Sequence, residues 1–399
     1  MALFAVGTAA AATAQTATGE PPANVQMRIG PLYINPSLSL GNAGTDTNVF
    51  NDATNPKSDF TMTLTPATDL WLRLGPSWVQ STISEDLVWY QQYASERSAN
   101  NTYTVKWIVP LARLTVTPTW THVNSRERVG YEIDARALHT ATSYGAQAEL
   151  RLLSKTFIGV QGQRTTTDYD PGATFLGVNL SGELNDTDTV GSVALRHQLT
   201  PLTSVSISAV LDEDRFELDP LRNSKSREIN GSISFDPAAL IKGSAMFGYR
   251  DFKPDSPDLP AFAGMTMAVN LDYVLLGVTK FDVTAARDVQ YSYDINQPYY
   301  VQTGLTGTIS QQLFGPIDIV ARGGLQRLEY RDRIGAAVPV ADRLDRVTLY
   351  GGGIGYHLGR DTRIGFNVDQ TRRQSAVAER AYNGLQYGFA VTYGSGAGL

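Results

Sequence analysis

The residues with chemistry to offer are charged, and they recur at every second position of short alternating segments. By that parity Arg73, Lys106, Arg113, Glu149, Arg151, Arg196, Lys242 and Arg250 fall on one face of their segments. Asp272, Lys280, Asp282, Asp288, Asp318, Arg322, Arg363 and Asp369 do the same. Rings of mixed charge set selectivity where they line a pore. The competing reading is that they pair across strands and brace an interior, since charge away from water must be satisfied.

The four histidines, His122, His139, His197 and His357, are too far apart for ligand spacing, so no metal is expected from them. His122, followed by Asn124, Ser125, Arg126 and Glu127, is the one that could serve a hydrolase. That would require a nucleophile and an orienting carboxylate to converge on it, and an enzyme is not the expected reading. Asp212-Glu213-Asp214 and Asp168-Tyr169-Asp170, taken as loop pieces, offer oxygen donors for weakly held Ca²⁺, although such runs are more often solvated. Gly351-Gly352-Gly353 falls inside a strand pattern and reads as close packing or curvature, not as a phosphate loop, and no cofactor is implied.

The bulk numbers bound what can position these groups. The 399 residues contain no cysteine, which excludes a disulfide scaffold and a thiolate site. A net charge of −6 argues against a nucleic-acid partner. No run of 18 apolar residues occurs, so no spanning helix is expected. Residues 1–14 read as a signal-peptide-like segment ending in Ala12-Thr13-Ala14, although the first basic residue is Arg28. Residues 15–30 would then be a periplasmic segment, 31–393 a barrel and 394–399 a tail.

From Pro31 onward, period-two segments are separated by tight turns and long polar loops in strict alternation. The tight set runs through Thr65-Pro66, Val109-Pro110-Leu111, Leu152 to Lys155, Thr200-Pro201 and Asp236 to Ala239. It continues with Leu275-Leu276-Gly277, Gly315-Pro316 and Gly359-Arg360. Long loops include 41–57, 124–140, 165–185 and 214–225. Short turns on one rim and long loops on the other are the layout of a transmembrane antiparallel up-and-down β-barrel. Eight tight turns imply about 18 strands, with 16 as the alternative. The segment Leu70–Tyr93 is too long for one crossing, so Gly75-Pro76 either bends it or hides a hairpin.

The apolar face would meet lipid: Met265, Met267, Val269, Leu271 and Tyr273 on one segment, Gly243, Ala245, Phe247 and Tyr249 on another. Arg287 breaks this parity, and a bulge would account for it. Trp71, Trp107, Trp120, Tyr249, Tyr273, Tyr299 and Tyr393 fall where interfacial girdles belong. Closure requires Tyr33–Leu40 to pair with Gly384–Tyr393, because an open sheet edge is not viable in lipid.

Two resemblances sharpen this. Gln386, Gly388, Val391 and Tyr393 resemble the C-terminal signal that hands outer-membrane barrels to their insertion machinery, although Gly394 to Leu399 follow it here. The opening, Leu40-Gly41 followed by Thr45-Asp46-Thr47-Asn48-Val49-Phe50, resembles the outer-membrane β-barrel porins found beside exopolysaccharide gene clusters. The Thr65-Pro66 turn and the glycine-rich last strand are similar too. The resemblance implies bacterial outer-membrane lipid as surroundings and passage of polysaccharide or small polar solutes. A non-conducting barrel that anchors loops for adhesion or assembly is the alternative. Trp89, Tyr90 and Tyr93, near the first outer loops, would be free to stack on sugar rings.

Overall fold

The computed structural model describes residues 19–22, 25–237 and 239–394. The signal-like residues 1–14 and tail residues 395–399 lie outside them. β1 (Met27–Ile29) folds back on β2 (Leu32–Asp46). β3 (Asp59–Leu74), β4 (Ser77–Tyr90), β5 (Ser98–Leu111), β6 (Leu114–Arg128), β7 (Arg136–Arg151) and β8 (Thr156–Tyr169) follow. β9 (Thr174–Phe175) and β10 (Val178–Asn179) make a separate small hairpin leading into α1 (Leu180–Leu184). Then come β11 (Asp186–Thr200), β12 (Thr203–Phe216), β13 (Ser224–Phe235), β14 (Ile241–Pro254) and β15 (Phe262–Leu275). β16 (Thr279–Tyr291), β17 (Tyr299–Phe314), β18 (Ile317–Arg331), β19 (Leu344–Leu358), β20 (Thr362–Gln374) and β21 (Tyr382–Tyr393) complete the chain.

Each long strand pairs antiparallel with the next, and β21 returns to β2 with Leu38 opposite Tyr393 and Thr45 opposite Tyr387. The sheet therefore closes as a barrel of 18 strands. Closure leaves no row of unpaired N–H and C=O groups to face lipid. A bulge in β2 absorbs the register shift between Leu40 and Ala43, with Asn42 at φ 53°. At the periplasmic rim the reversals are tight. Gly75 and Gly315 adopt positive φ there, a conformation that a side chain resists.

The Leu70–Tyr93 segment hides the β3–β4 hairpin, and its turn is Gly75-Pro76. Thr65-Pro66 is correspondingly not a turn. It lies mid-strand in β3, and the β3–β4 ladder skips both residues, which accommodates a proline nitrogen with no proton to donate. The Val109-Pro110-Leu111 turn also moves on, to Ala112-Arg113. Eight turns remain, so the strand count survives the exchange of one for another.

Exposed Leu, Ile, Phe and Tyr side chains recur at alternate positions on the outside, among them Val193 and Leu195 on β11, Phe247 and Tyr249 on β14, and Ile354 and Tyr356 on β19. Two of the expected girdle aromatics do not reach the lipid-facing surface. Trp71 shares its face with Tyr33 and Gln80 on the inner wall. Tyr299 is 1% exposed and packs edge-on to Phe252, with ring centroids 5.1 Å apart. Arg287 keeps outward parity with no register shift in β16–β17, so no bulge explains it. It donates to the Met265 carbonyl and to Thr303.

The larger buried apolar clusters gather at the extracellular end, where the loops fold together. Ile133, Phe175, Leu180, Leu184, Phe216 and Tyr293 form the largest cluster, drawn from four different hairpins.

Candidate transport pathway and the loop across it

The inner wall carries charge in locally neutralised sets. Arg196 grips Glu149 through two N–H···O bonds of 3.0 and 2.7 Å, and its guanidinium lies 4.0 Å from the Phe157 ring centre. Arg250 reaches Asp212 at 2.6 Å and Asp288 at 3.0 Å, with Ser226 beside it. Arg363 donates twice to Asp318, whose other neighbour is the His357 ring at 2.7 Å. Arg322 meets Asp369 at 3.3 Å and Asn367 at 2.7 Å. Lys280 pairs with Asp282, which stands opposite Asp272, itself opposite Lys242. Lys106 lies between Gln80 and Thr119 on the same face.

Arg73 sits over the Trp78 ring at 5.7 Å, and Arg151 donates to the Ala112 carbonyl. Arg113 departs from the expectation: it occupies the periplasmic turn between β5 and β6, not a wall position. The structure thus brings most of these residues together as pairs, in line with burying charge only beside its complement.

Glycines make that pairing possible on β19. A Cβ on Gly351 would clash with Asp369 Oδ1, and one on Gly353 with Asn367 Oδ1. On Gly355 it would clash with the Arg363 guanidinium. The polar side chains of β20 lie flat across the space that β19 leaves.

Asp212-Glu213-Asp214 is not a loop but the upper part of β12. Glu213 points outward to Arg215, while Asp212, Asp214 and Asp188 of β11 place ligand oxygens within 4.8 Å of one another. These are the residues that could hold a cation, and the Arg250 guanidinium already supplies positive charge there. Asp168-Tyr169-Asp170 likewise begins inside β8. His122 faces outward, bonded to Thr142 at 3.0 Å and stacked on Trp120. The Trp89 and Tyr90 ring faces expected to await sugars are covered, by Arg97 at 3.5 Å and Arg136 at 5.1 Å. Tyr93 packs on Phe50.

The decisive feature was not read from the sequence. Residues 129–135, between β6 and β7, cross the lumen to the half of the barrel opposite. Tyr131 packs against Tyr300, Leu328 and Tyr330 on the inner faces of β17 and β18, which lie half-way round the sheet from β6 and β7. Arg373 of β20 donates to the Tyr131 carbonyl at 2.7 Å and pairs with Asp345 at 2.6 Å and Asp134 at 3.3 Å. Arg380 binds Asp134 at 3.0 Å and also donates to the Glu132 carbonyl. The Glu132 carboxylate, 1% exposed, accepts from Ser292 Oγ at 2.7 Å and from the Tyr293 amide at 3.1 Å. Burial pushes that carboxyl above its ordinary value, against the pull of Arg343 and Arg380. Burial likewise raises the Tyr131 phenol, to about 12.

A second strut joins the β12–β13 loop to its neighbours. Arg222 donates to the Ser292 and Pro298 carbonyls and to Glu183 and Asp219. In sequence these residues read only as long polar loops. The one available hint was the close supply of arginines in Arg372-Arg373 and Arg380 against the acids of 127–134.

At the periplasmic end, Gly19 lies against Trp78 and Ile108 on the inner wall, so residues 19–22 enter the barrel mouth there. Tyr33 meets Trp78 edge-on at 5.7 Å, and Arg28 lies over Tyr33 at 4.9 Å.

A family model described as "Putative beta-barrel porin 2" matches residues 20–394. No curated protein matches. Among solved structures, a BenF-like porin from Pseudomonas fluorescens is 10% identical, with 90% of this chain and 98% of that one covered and a TM-score of 0.49. The outer membrane protein opdK from Pseudomonas aeruginosa is 10% identical at the same coverage, with a TM-score of 0.46. The ferric citrate transporter FecA is 10% identical with a TM-score of 0.44; the match covers 86% of this chain and 60% of that longer one. The closed strand register, not these likenesses, establishes the barrel.

Proposed function

This chain belongs to the beta-barrel porin 2 family and is a channel of the bacterial outer membrane, and from that premise we propose a gated pathway for polar solutes, with surface polysaccharide as the cargo it fits best. The observation that carries the reading is the 129–135 segment, tied through Arg373 and Arg380 to the far wall. A loop that crosses a water-filled lumen narrows it, and its polar anchors can be exchanged for water. Below it, the paired charges of β11–β20 present both signs to a passing solute, which suits hydroxyl-rich polymers better than strongly charged ones. At the periplasmic mouth, Trp71 and Tyr33 stand side by side on the inner face and are half-buried, so a sugar ring entering from below would find aromatic surface there. Gln386, Gly388, Val391 and Tyr393, in the strand that closes the barrel, would serve the insertion machinery.

Planar-bilayer recording on the purified protein and on a 129–135 deletion tests this. Small or rare openings in the intact chain and large steady conductance in the deletion are expected. Silence in both would favour a second reading, a closed barrel that displays its loops. That reading is supported by the buried apolar cluster around Leu180.

A further inference from the structure

The lipid-facing side of β16–β20 ends at its extracellular edge in a row of arginines. Arg287 stands opposite Thr303, Thr303 opposite Arg327, Arg327 opposite Arg346, and Arg346 opposite Gln374. Arg372 shares this face one step lower, between Thr348 and Asn383. Just beneath the row lie Leu305, Leu325, Tyr350 and Val368, all exposed. The row therefore marks where the apolar surface stops. Arg327 and Arg372 stand about ten residues above the periplasmic turns, which for strands tilted about 40° is ~25 Å, the height of an outer-membrane apolar band.

The neighbouring stretch of wall, β12–β14, handles its charges differently. There Glu213 pairs with Arg215 and Lys225, Lys253 with Asp251, and Arg215 with Asp255. On β16–β20, Glu329 is the one outward carboxylate among the described residues, shared between Arg327 and Arg331 at 3.0 and 3.5 Å. Arg346 and Arg372 are exposed and bond to no described residue. Arg327 and Arg346 face each other directly across the β18–β19 ladder, a like-charge arrangement that costs stability unless an anion lies between them. The row ends at a cleft of about 410 Å³ whose polar lining includes Arg372, Gln374, Ser375 and Asn383.

We propose that this row binds the phosphate groups of lipid in the extracellular leaflet. Arg327, Arg346 and Arg372 present forked N–H pairs that match phosphate oxygens, and the acyl chains run down over Leu325, Tyr350 and Val368. The occupant is a phosphorylated lipid and not free phosphate, because the arginines border apolar surface that only a lipid would cover.

The test uses the full-length barrel in detergent, titrated with bis-phosphorylated lipid A, with the same lipid after removal of its phosphates, and with inorganic phosphate. The phosphorylated lipid should bind at least about tenfold more tightly than either of the others. A triple variant, Arg327→Gln, Arg346→Gln and Arg372→Gln, should lose about tenfold in affinity, whereas Arg215→Gln with Lys225→Gln should keep it. Heat-modifiable gel migration reports that each barrel is folded. Arg346→Gln alone removes an exposed group with no side-chain partner among the described residues, so the fold is not at stake. It should leave lipid-free thermal stability unchanged or raised while weakening the lipid-dependent gain. Equal affinity for phosphate-free lipid, equal affinity for inorganic phosphate, or full binding by the triple variant would overturn the proposal.

Discussion

Arg373, on the inner wall of β20, holds the backbone carbonyl of Tyr131 at 2.7 Å, although Tyr131 belongs to a loop rooted on the other side of the barrel. The same guanidinium is wholly buried and binds Asp345 and Asp134. One side chain thus couples the wall to the segment that crosses the lumen.

Replacing Arg373 by Gln should therefore do two things together. It leaves the buried Asp345 with Arg343 and Ser375 and one cation fewer, a loss of about 3–5 kcal/mol for breaking a buried pair. It also releases the crossing loop, so single-channel openings should lengthen while the unfolding temperature falls. A lower unfolding temperature with unchanged gating would separate the wall from the loop.

Glu132 makes the docked loop sensitive to pH. Its carboxyl is raised above the ordinary value of 4.5 when buried, so the docked state binds more protons than the undocked one. Docking is then strongest below about 4.5 and weakens as pH climbs through the raised value. Open probability should increase with pH over that window and then level off. Glu132→Gln should flatten the profile, and a slope of opposite sign would remove this account.

Gly351 should tolerate no side chain. An alanine there drives a methyl into Asp369 and the Val368 carbonyl, an overpacking cost of about 1–3 kcal/mol that also disturbs the Arg322 pair. Gly323, whose added Cβ would meet nothing within 4 Å, is the control, and Gly323→Ala should stay within about 0.5 kcal/mol. The temperature at which gel migration changes reads both.

Tyr393 closes the barrel opposite Leu38 and ends the proposed insertion signal. Tyr393→Ala should lower the amount reaching the outer membrane several-fold more than Tyr356→Ala, an exposed tyrosine on β19. Equal yields would leave Tyr393 as a packing residue only.

Alternation along each strand is a local property, so the chain by itself determined that it forms strands, which face of each meets lipid, and that β2 must meet β21. Backbone groups in lipid have no partner but a neighbouring strand, and this leaves the chain little choice. The same local reading misplaced Thr65-Pro66, because proline signals a turn wherever it stands, whereas the β3–β4 ladder has a gap that takes it. It also set Trp71 in lipid, because an aromatic near a strand end looks alike on either face, and Tyr299, which keeps outward parity but is buried by the cluster around Phe252 at the strand ends. What only the tertiary structure decided is which charges meet. Arg373 and Tyr131 are separated by 242 positions, and Arg196 and Glu149 by 47. Contacts of that kind depend on barrel circumference and strand stagger, which no single strand encodes. The contacts that hold residues 129–135 across the lumen, unlike the strands themselves, exist only in the closed ring.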